Sequence, residues 1–540
     1  MTAQTVYDAI RNTASEYPER AVLHIVAETA KTYDIRAGDI TYSKFIERTD
    51  QLAYELKKNG YDARMRVAVL LENRPDFFII FAALNKIGAS IVPINPDLRA
   101  AELEYLFDHA SPALIISTQT RQADLSAASQ NCGLNVPVCV FGKDPLPPLH
   151  REDAVVATCE TGDAVEAAVL YTSGTTGKPK GCVLSNAYFL LAGRWYAKLG
   201  GIANLSTQEE RMITPLPIFH MNAMAYSFMS MVTVGGCLIA LDRFHPKTWW
   251  NVVSESRATC LHYLGVMPTI LMSLPSNDLE QKHQVRFGFG AGVDPKLQQD
   301  FETRFGFPLI EAWAMTETGA GAVISAHTHD RLIGRSCLGS PEGWVDTRII
   351  DNDGNDVLPN TPGELLVRNN GNDPKYGFFT EYYKDPDATA EAWINDWFHT
   401  GDIVQKDAAG RIYFVDRKKN IIRRSSENIA AVEVESMLNR HPKIRAVAVC
   451  GVPDTLRGDE VFACIVTDAP KDGLAQNIAT WALDQMAYYK VPGYIAFVDA
   501  LPLTTTQKIQ RKELQNLALR LLERNEFTSL IHLKKRQVNT

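Results

Sequence analysis

The sequence predicts an α/β protein: a large N-terminal domain of parallel-rich sheets flanked by helices, then a smaller α+β domain. Three observations carry that prediction. The chain has 540 residues, too many for one hydrophobic core. From Arg66 onward, short apolar runs alternate with amphipathic helical stretches, the pattern of parallel strands with helices on their faces. Beyond Asn420 the texture changes to a compact run of strands and helices, enough for a separate small domain.

Bulk composition removes several classes of function. A hydrophobic content of 46% with 22% charged residues is ordinary for a globular enzyme. Lys and Arg number 55 against 63 Asp and Glu, a net charge of −8 with no long block of like charge. Nucleic acid or an anionic membrane surface is therefore not expected as principal partner. The nine cysteines are scattered without metal-ligand spacing and read as reduced thiols. The first 18 residues lack the basic start and apolar core of a signal peptide, and no apolar run reaches membrane-spanning length. The expected setting is the cytoplasm.

Taken in order, the chain gives a strand at 67–71, a helix at 76–86, a strand at 89–93, a helix at 100–109 and a strand at 111–117. Residues 143–166, with Pro145, Pro147 and Pro148, read as a connection. An apolar strand at 167–171 then feeds Thr172-Ser173-Gly174-Thr175-Thr176-Gly177-Lys178-Pro179-Lys180-Gly181. Its glycines let successive N–H groups point into one concavity, its hydroxyls add donors, and Lys178 and Lys180 add positive charge. The natural guest is a polyphosphate. This is not a Walker loop, because only two residues separate Gly174 from Gly177 and Pro179 follows Lys178. Taken alone, the loop serves equally well as a surface turn, so its company must decide.

Next comes Pro215-Leu216-Pro217-Ile218-Phe219-His220-Met221, followed by a Met-rich apolar helix to 234. His220 at a strand end either lines a pocket or sits satisfied in the core, and Met224, Met229 and Met231 read as core filling. After a strand at 261–266, Gly288, Gly290 and Gly292 either bare the backbone to a flat ligand or make a tight turn. In Glu311-Ala312-Trp313-Ala314-Met315-Thr316-Glu317, an aromatic, a hydroxyl and a carboxylate are spaced to stack on a base, bond a phosphate and hold Mg²⁺. His399-Thr400-Gly401-Asp402 ends in a carboxylate suited to accept both hydroxyls of a ribose. The last motif, residues 501–511, contains Lys508, and the polar tail from 525 is expected to fray.

The order of these motifs, over about residues 42–514, resembles the ANL superfamily of adenylate-forming enzymes, which includes acyl-CoA synthetases, peptide-synthetase adenylation domains and luciferases. Phe414-Val415-Asp416-Arg417 through Glu427-Asn428 to Glu433-Val434-Glu435 is most similar to the crotonobetaine/carnitine-CoA ligase branch. The resemblance implies the ANL fold, with an ATP- and acid-binding domain at 1–418 and a mobile lid at 419–540. It implies that Thr172, Ser173, Gly174, Thr175, Thr176, Gly177, Lys178 and Lys180 close over the β- and γ-phosphates of ATP. Gly290, Ala291 and Gly292 would back the adenine, and Trp313, where the family usually has Tyr, would stack on it. Thr316 would touch the α-phosphate, Glu317 the Mg²⁺, and Asp402 the ribose with help from Arg417. Lys508 matches the catalytic lysine, Lys419 the hinge, His220 a position beside the acyl pocket, and Arg423 opens the loop along the thiol's path.

The implied activity is that of an AMP-forming acid:CoA ligase using ATP, Mg²⁺, coenzyme A and a small carboxylic acid. No nucleic acid and no integral membrane association are implied, and a homodimer is allowed for. The chain departs from the family at Gln507 and Ser426, both usually Gly. Because Ser426 lies on the thiol's path, a stand-alone enzyme loading a carrier protein stays open as the alternative. A scaffold that merely binds nucleotide is disfavoured by the complete set Thr316, Glu317, Asp402 and Lys508. Pocket segments around 219–228, 262–267 and 320–323 suit a small or medium acid carrying a second polar group near His220 or His262.

Overall fold

The computed structural model describes residues 3–149, 162–172, 179–207, 209–417, 421–425, 427–502 and 509–535. Two parallel-rich sheets dominate. The first runs Ile324–Ser325, Leu309–Trp313, Gly288–Ala291, Cys260–Leu264, Arg211–Thr214, Cys237–Ala240, Ala21–Ile25, Gly38–Thr41. It is parallel except at its two ends. The second runs Glu381–Tyr382, Lys180–Ser185, Glu166–Thr172, Ser90–Pro93, Arg66–Leu70, Leu114–Ser117, Val138–Val140. Here only the first two pairings are antiparallel.

The helix Asp76–Lys86 shows why these sheets belong together. Its sequence, Asp-Phe-Phe-Ile-Ile-Phe-Ala-Ala-Leu-Asn-Lys, has almost no polar face, and every residue but Lys86 is buried. A helix apolar all round must be covered on all sides. It is: one core cluster unites it with Val67 and Ile91 of the second sheet and with Leu238 and Phe289 of the first. The helices at 76–86 and 100–110 start and end within one residue of the sequence expectation.

A third sheet was not legible as such. It is antiparallel throughout and runs Cys337–Gly339, Ile412–Arg417, Trp397–Lys406, Gly363–Asn369, Val345–Ile350, with Trp393–Ile394 on its flank. A fourth sheet is built from residues 421 onward, around Gly458–Val466 and its neighbours Ala446–Asp454, Tyr494–Phe497 and Ile421–Arg424. The buried side chains at its core come from no residue before Ile422. The expected boundary at 418/419, with the hinge Lys419, lies outside the described residues.

The alternating glycines of 288–292 answer first to their neighbours. A Cβ on Gly290 would lie 2.2 Å from the carbonyl oxygen of Tyr263, and one on Gly288 would lie 2.8 Å from Leu309 Cδ2. The adjacent strands, rather than a guest, require that bare backbone. Gly290→Ala is therefore expected to lower the apparent Tm by several degrees, because backbone on the neighbouring strand must move. An unchanged melting temperature, read by calorimetry, would refute that close approach.

Candidate active site

One cleft of about 650 Å³ lies where the sheets meet, lined by both parallel-rich sheets, the antiparallel sheet and the C-terminal unit. At one end, Thr172 closes one strand and Lys180, its register partner, opens the next. Ser173, Gly174, Thr175, Thr176, Gly177 and Lys178 lie outside the described residues. Glu317 is buried beside Thr172, and one of its carboxylate oxygens, Oε1, accepts from Tyr382 Oη at 2.9 Å and from Thr172 Oγ1 at 3.5 Å. Burial, with the Glu317 charge beside it, raises the Tyr382 hydroxyl far above its usual range, so it stays a donor. Lys180 Nζ sits 4.7 Å from the Tyr382 ring centroid and 4.0 Å from Asp385 Oδ2. Tyr188 donates to the Thr316 carbonyl at 2.9 Å and so pins the turn that presents Thr316 and Glu317. Tyr382 and Tyr188 carried no signal in the sequence beyond being aromatic.

Further along, Asp402 is buried and receives the indole N–H of Trp313 on Oδ2 at 2.8 Å. Trp313, read from the sequence as the platform under adenine, is itself buried and does not line the cleft. Its aromatic body fills the core and its N–H orients the carboxylate. Asp402 and Arg417 are direct partners across the antiparallel pair, although the Arg417 side chain lies outside what is described. Gly290 and Ala291 line the cleft and Gly292 does not. The turn they enter is fixed by Glu311, which accepts from the Gly292 and Val293 N–H groups at 2.9 and 3.1 Å and from Tyr263 Oη at 2.6 Å. Burial pushes this carboxyl up, while those hydrogen bonds pull the other way.

Another part of the cleft is framed by Phe219, His220, Asn222, Tyr226 and Phe289. The Met-rich segment expected as a helix opens as a π-helix, Asn222–Phe228, and continues as an α-helix, Met229–Val234. From the opposite side, Arg423, Glu427 and Asn428 of the C-terminal unit also line the cleft. They are held there by a charged seam that sequence reasoning missed. Lys490 Nζ lies 2.5 Å from Glu102 Oε1 and 2.6 Å from Glu433 Oε1, all three side chains being largely buried. Burial alone would lower the lysine, but the two carboxylates outweigh it and keep the ammonium charged. The catalytic candidate Lys508 lies outside the described residues.

Burial holds two histidines neutral, His220 at a pKa of about 4 and His262 at about 3, against an ordinary 6.5. Both folded values lie below the unfolded one, so as pH falls the unfolded chain takes up protons first. Their full contribution to stability is present above about 6.5 and is lost progressively as pH falls toward 4 and 3. A His220→Gln, His262→Gln double variant should thus flatten the dependence of denaturation midpoint on pH between 6.5 and 4.5. Parallel curves for parent and variant in that window would contradict buried, neutral rings.

The family model for AMP-binding enzymes matches residues 10–377, and that for the AMP-binding enzyme C-terminal domain matches residues 433–508. A crotonobetaine/carnitine–CoA ligase of Proteus mirabilis is 28% identical over 505 residues, covering 90% of this chain and 96% of the relative. The fold is shared with o-succinylbenzoate CoA synthetase of Bacillus subtilis (TM-score 0.80, 21% identity, 95% of this chain and 98% of that one). It is shared equally with the amide bond synthetase of Marinactinospora thermotolerans (TM-score 0.79, 21% identity, 94% and 99%). With a Gly-rich hydroxylic loop, a buried Glu317 and Asp402, and a small C-terminal unit closing one cleft, the chain belongs to the AMP-binding enzyme family, the adenylate-forming enzymes of the ANL superfamily.

Proposed function

We propose that the protein is an AMP-forming acid:CoA ligase, and the observation that carries this is the single cleft shared by Thr172, Lys180, Thr316, Glu317, Asp402, Arg423, Glu427 and Asn428. A carboxylate is a poor acyl donor because it would have to expel oxide. Its oxygen first attacks the α-phosphorus of ATP, a new P–O bond forms, and pyrophosphate leaves with the electron pair of the old one. The acyl-adenylate that results loses AMP when the thiol of CoA attacks its carbonyl carbon. The protein has little covalent work to do. Catalysis is positioning and neutralisation of charge.

In this reading the residues divide the nucleotide between them. The 172–180 loop takes the β- and γ-phosphates, Thr316 the α-phosphate, and Asp402, oriented by Trp313 and aided by Arg417, the ribose. Gly290 and Ala291 face the base, and His220 borders the acid. Glu317 would hold Mg²⁺; a cation bound by one carboxylate plus substrate phosphates suits this donor set, since the described residues contain no cluster of three metal-ligating side chains. When bound, Mg²⁺ supplies positive charge against the phosphates. Residues 1–418 and 419–540 would act as separate domains hinged at Lys419, the second bringing Lys508 to the α-phosphate for the first step. The described arrangement, with Arg423, Glu427 and Asn428 lining the cleft, suits the second step, in which the thiol enters. The eight described cysteines are all free, in keeping with a cytoplasmic enzyme.

Lys508→Ala should abolish acid-dependent pyrophosphate release, because charge developing between carboxylate and α-phosphate loses its cation. Thioester formation from supplied acyl-adenylate should survive. Equal loss of both half-reactions in a folded variant would remove Lys508 from the role. Running AMP formation with CoA against carrier proteins as acceptor separates the ligase from a carrier-loading enzyme.

A further inference from the structure

A buried polar relay stands behind the part of the cleft framed by His220 and Asn222. His262, on the strand Cys260–Leu264, has no exposed surface. Its Nδ1 is 2.8 Å from Asn222 Oδ1 and 2.8 Å from Ser227 Oγ, and its Nε2 is 3.1 Å from Tyr196 Oη. These partners assign the tautomer. An amide oxygen can only accept, so Nδ1 carries the proton and donates to Asn222, and Nε2 accepts from the Tyr196 hydroxyl. Tyr196 is fully buried and its hydroxyl is raised by that burial, so it remains the donor the relay needs. The Ser227 hydroxyl, 3.3 Å from the Asn222 carbonyl, ties the first turn of the π-helix to the same point.

The relay has a consequence for Asn222. With Oδ1 turned toward His262, the amide NH₂ is directed away from it, and Asn222 lines the cleft. Among the described residues that NH₂ has no hydrogen-bond partner, although Oδ1 has two. Two residues earlier, His220 also lines the cleft, and its buried Nε2 has no hydrogen-bond partner either. The walls around them, Phe219, Tyr226, Leu264 and Phe289, are otherwise apolar or aromatic. The buried His220 nitrogen costs free energy unless a guest supplies its partner, and the half-buried Asn222 NH₂ beside it is open to the same guest.

We infer that Asn222, oriented by His262 and Tyr196, is a specificity-determining donor that selects acids carrying a hydroxyl or carbonyl oxygen on the chain beyond the reacting carboxylate. His262 and Tyr196 are positioning residues, acting through Asn222. This rests on the ligase reading above and deepens it by naming the substrate class. A site built to bond such an oxygen discriminates strongly against an analogue that lacks it, because the analogue leaves the protein's own polar groups unpaired.

The test compares 2-, 3- and 4-hydroxybutanoate with butanoate by ATP-dependent pyrophosphate release. In the parent enzyme, at least one hydroxy acid should exceed butanoate in kcat/KM by about tenfold or more. Asn222→Leu should collapse that ratio toward one, chiefly through KM of the hydroxy acid. Tyr196→Phe, which keeps the ring and removes only the hydroxyl, should give an intermediate ratio, because the tautomer of His262 is no longer fixed. His262→Leu should behave like Asn222→Leu, and melting curves on each variant confirm that it is folded. A parent enzyme that turns over these acids without preference, or an Asn222→Leu variant that keeps the preference, would overturn the inference while leaving the ligase reading intact. Absence of pyrophosphate release with every carboxylic acid tried would instead overturn the ligase reading and this inference with it.

Discussion

The active cleft exists in its described form because one ammonium group is shared across a seam. Lys490 is buried, and a lone buried cation would cost several kcal/mol. Glu102 and Glu433 meet it from opposite sides. Glu102 is further held by the N–H groups of Arg99 and Ala487, both at 3.0 Å, and sits in the first turn of the helix Ala100–Ala110, where the helix dipole favours an anion. Asn95 adds a bond to Tyr489 at 3.0 Å. Glu102 and Asn95 come from the large part of the chain, and Glu433, Tyr489 and Lys490 from the small one. Rotating the small unit away would leave Lys490 with Glu433 alone and strand Glu102, so the triad is complete only in this docking.

Everything else in the cleft is arranged along one line of chemistry. Aromatic hydroxyls, Tyr382 and Tyr188, hold the Glu317 carboxylate and the Thr316 backbone. An indole holds the carboxylate of Asp402, and a buried histidine holds the amide of Asn222. In each case one side chain fixes the orientation of a cleft-lining group beside it. Such orientation before binding is what a reaction governed by positioning requires.

How much of this the sequence disclosed depended on where each signal lay. The helix at 76–86 was legible because its apolar character is unbroken, whereas the loop at 172–180 took its meaning only from the motifs that follow it. The strand Trp397–Lys406 hid its alternation: its buried positions include Thr400 and Asp402 as well as Phe398 and Val404, so polar residues stand where an apolar period was sought. Trp313 was read by its ring, whereas the fold uses its N–H on a carboxylate 89 positions away. The Glu102–Lys490 pair spans 388 positions, and no local pattern joins two ordinary charged residues at that distance. The π-helical register of 222–228 was equally invisible, since the same apolar residues serve an α-helix.

The seam is tested most directly by Glu102→Ala, which removes one partner from the large part of the chain and leaves the small unit's own pair, Lys490 and Glu433, in place. The two half-reactions would be followed separately, as single-turnover pyrophosphate release with acid and ATP and as thioester formation from supplied acyl-adenylate and CoA. If the triad holds the arrangement in which the thiol enters, thioester formation should fall by about tenfold or more while pyrophosphate release stays within about twofold. Equal loss of both steps, or loss of pyrophosphate release alone, would contradict it.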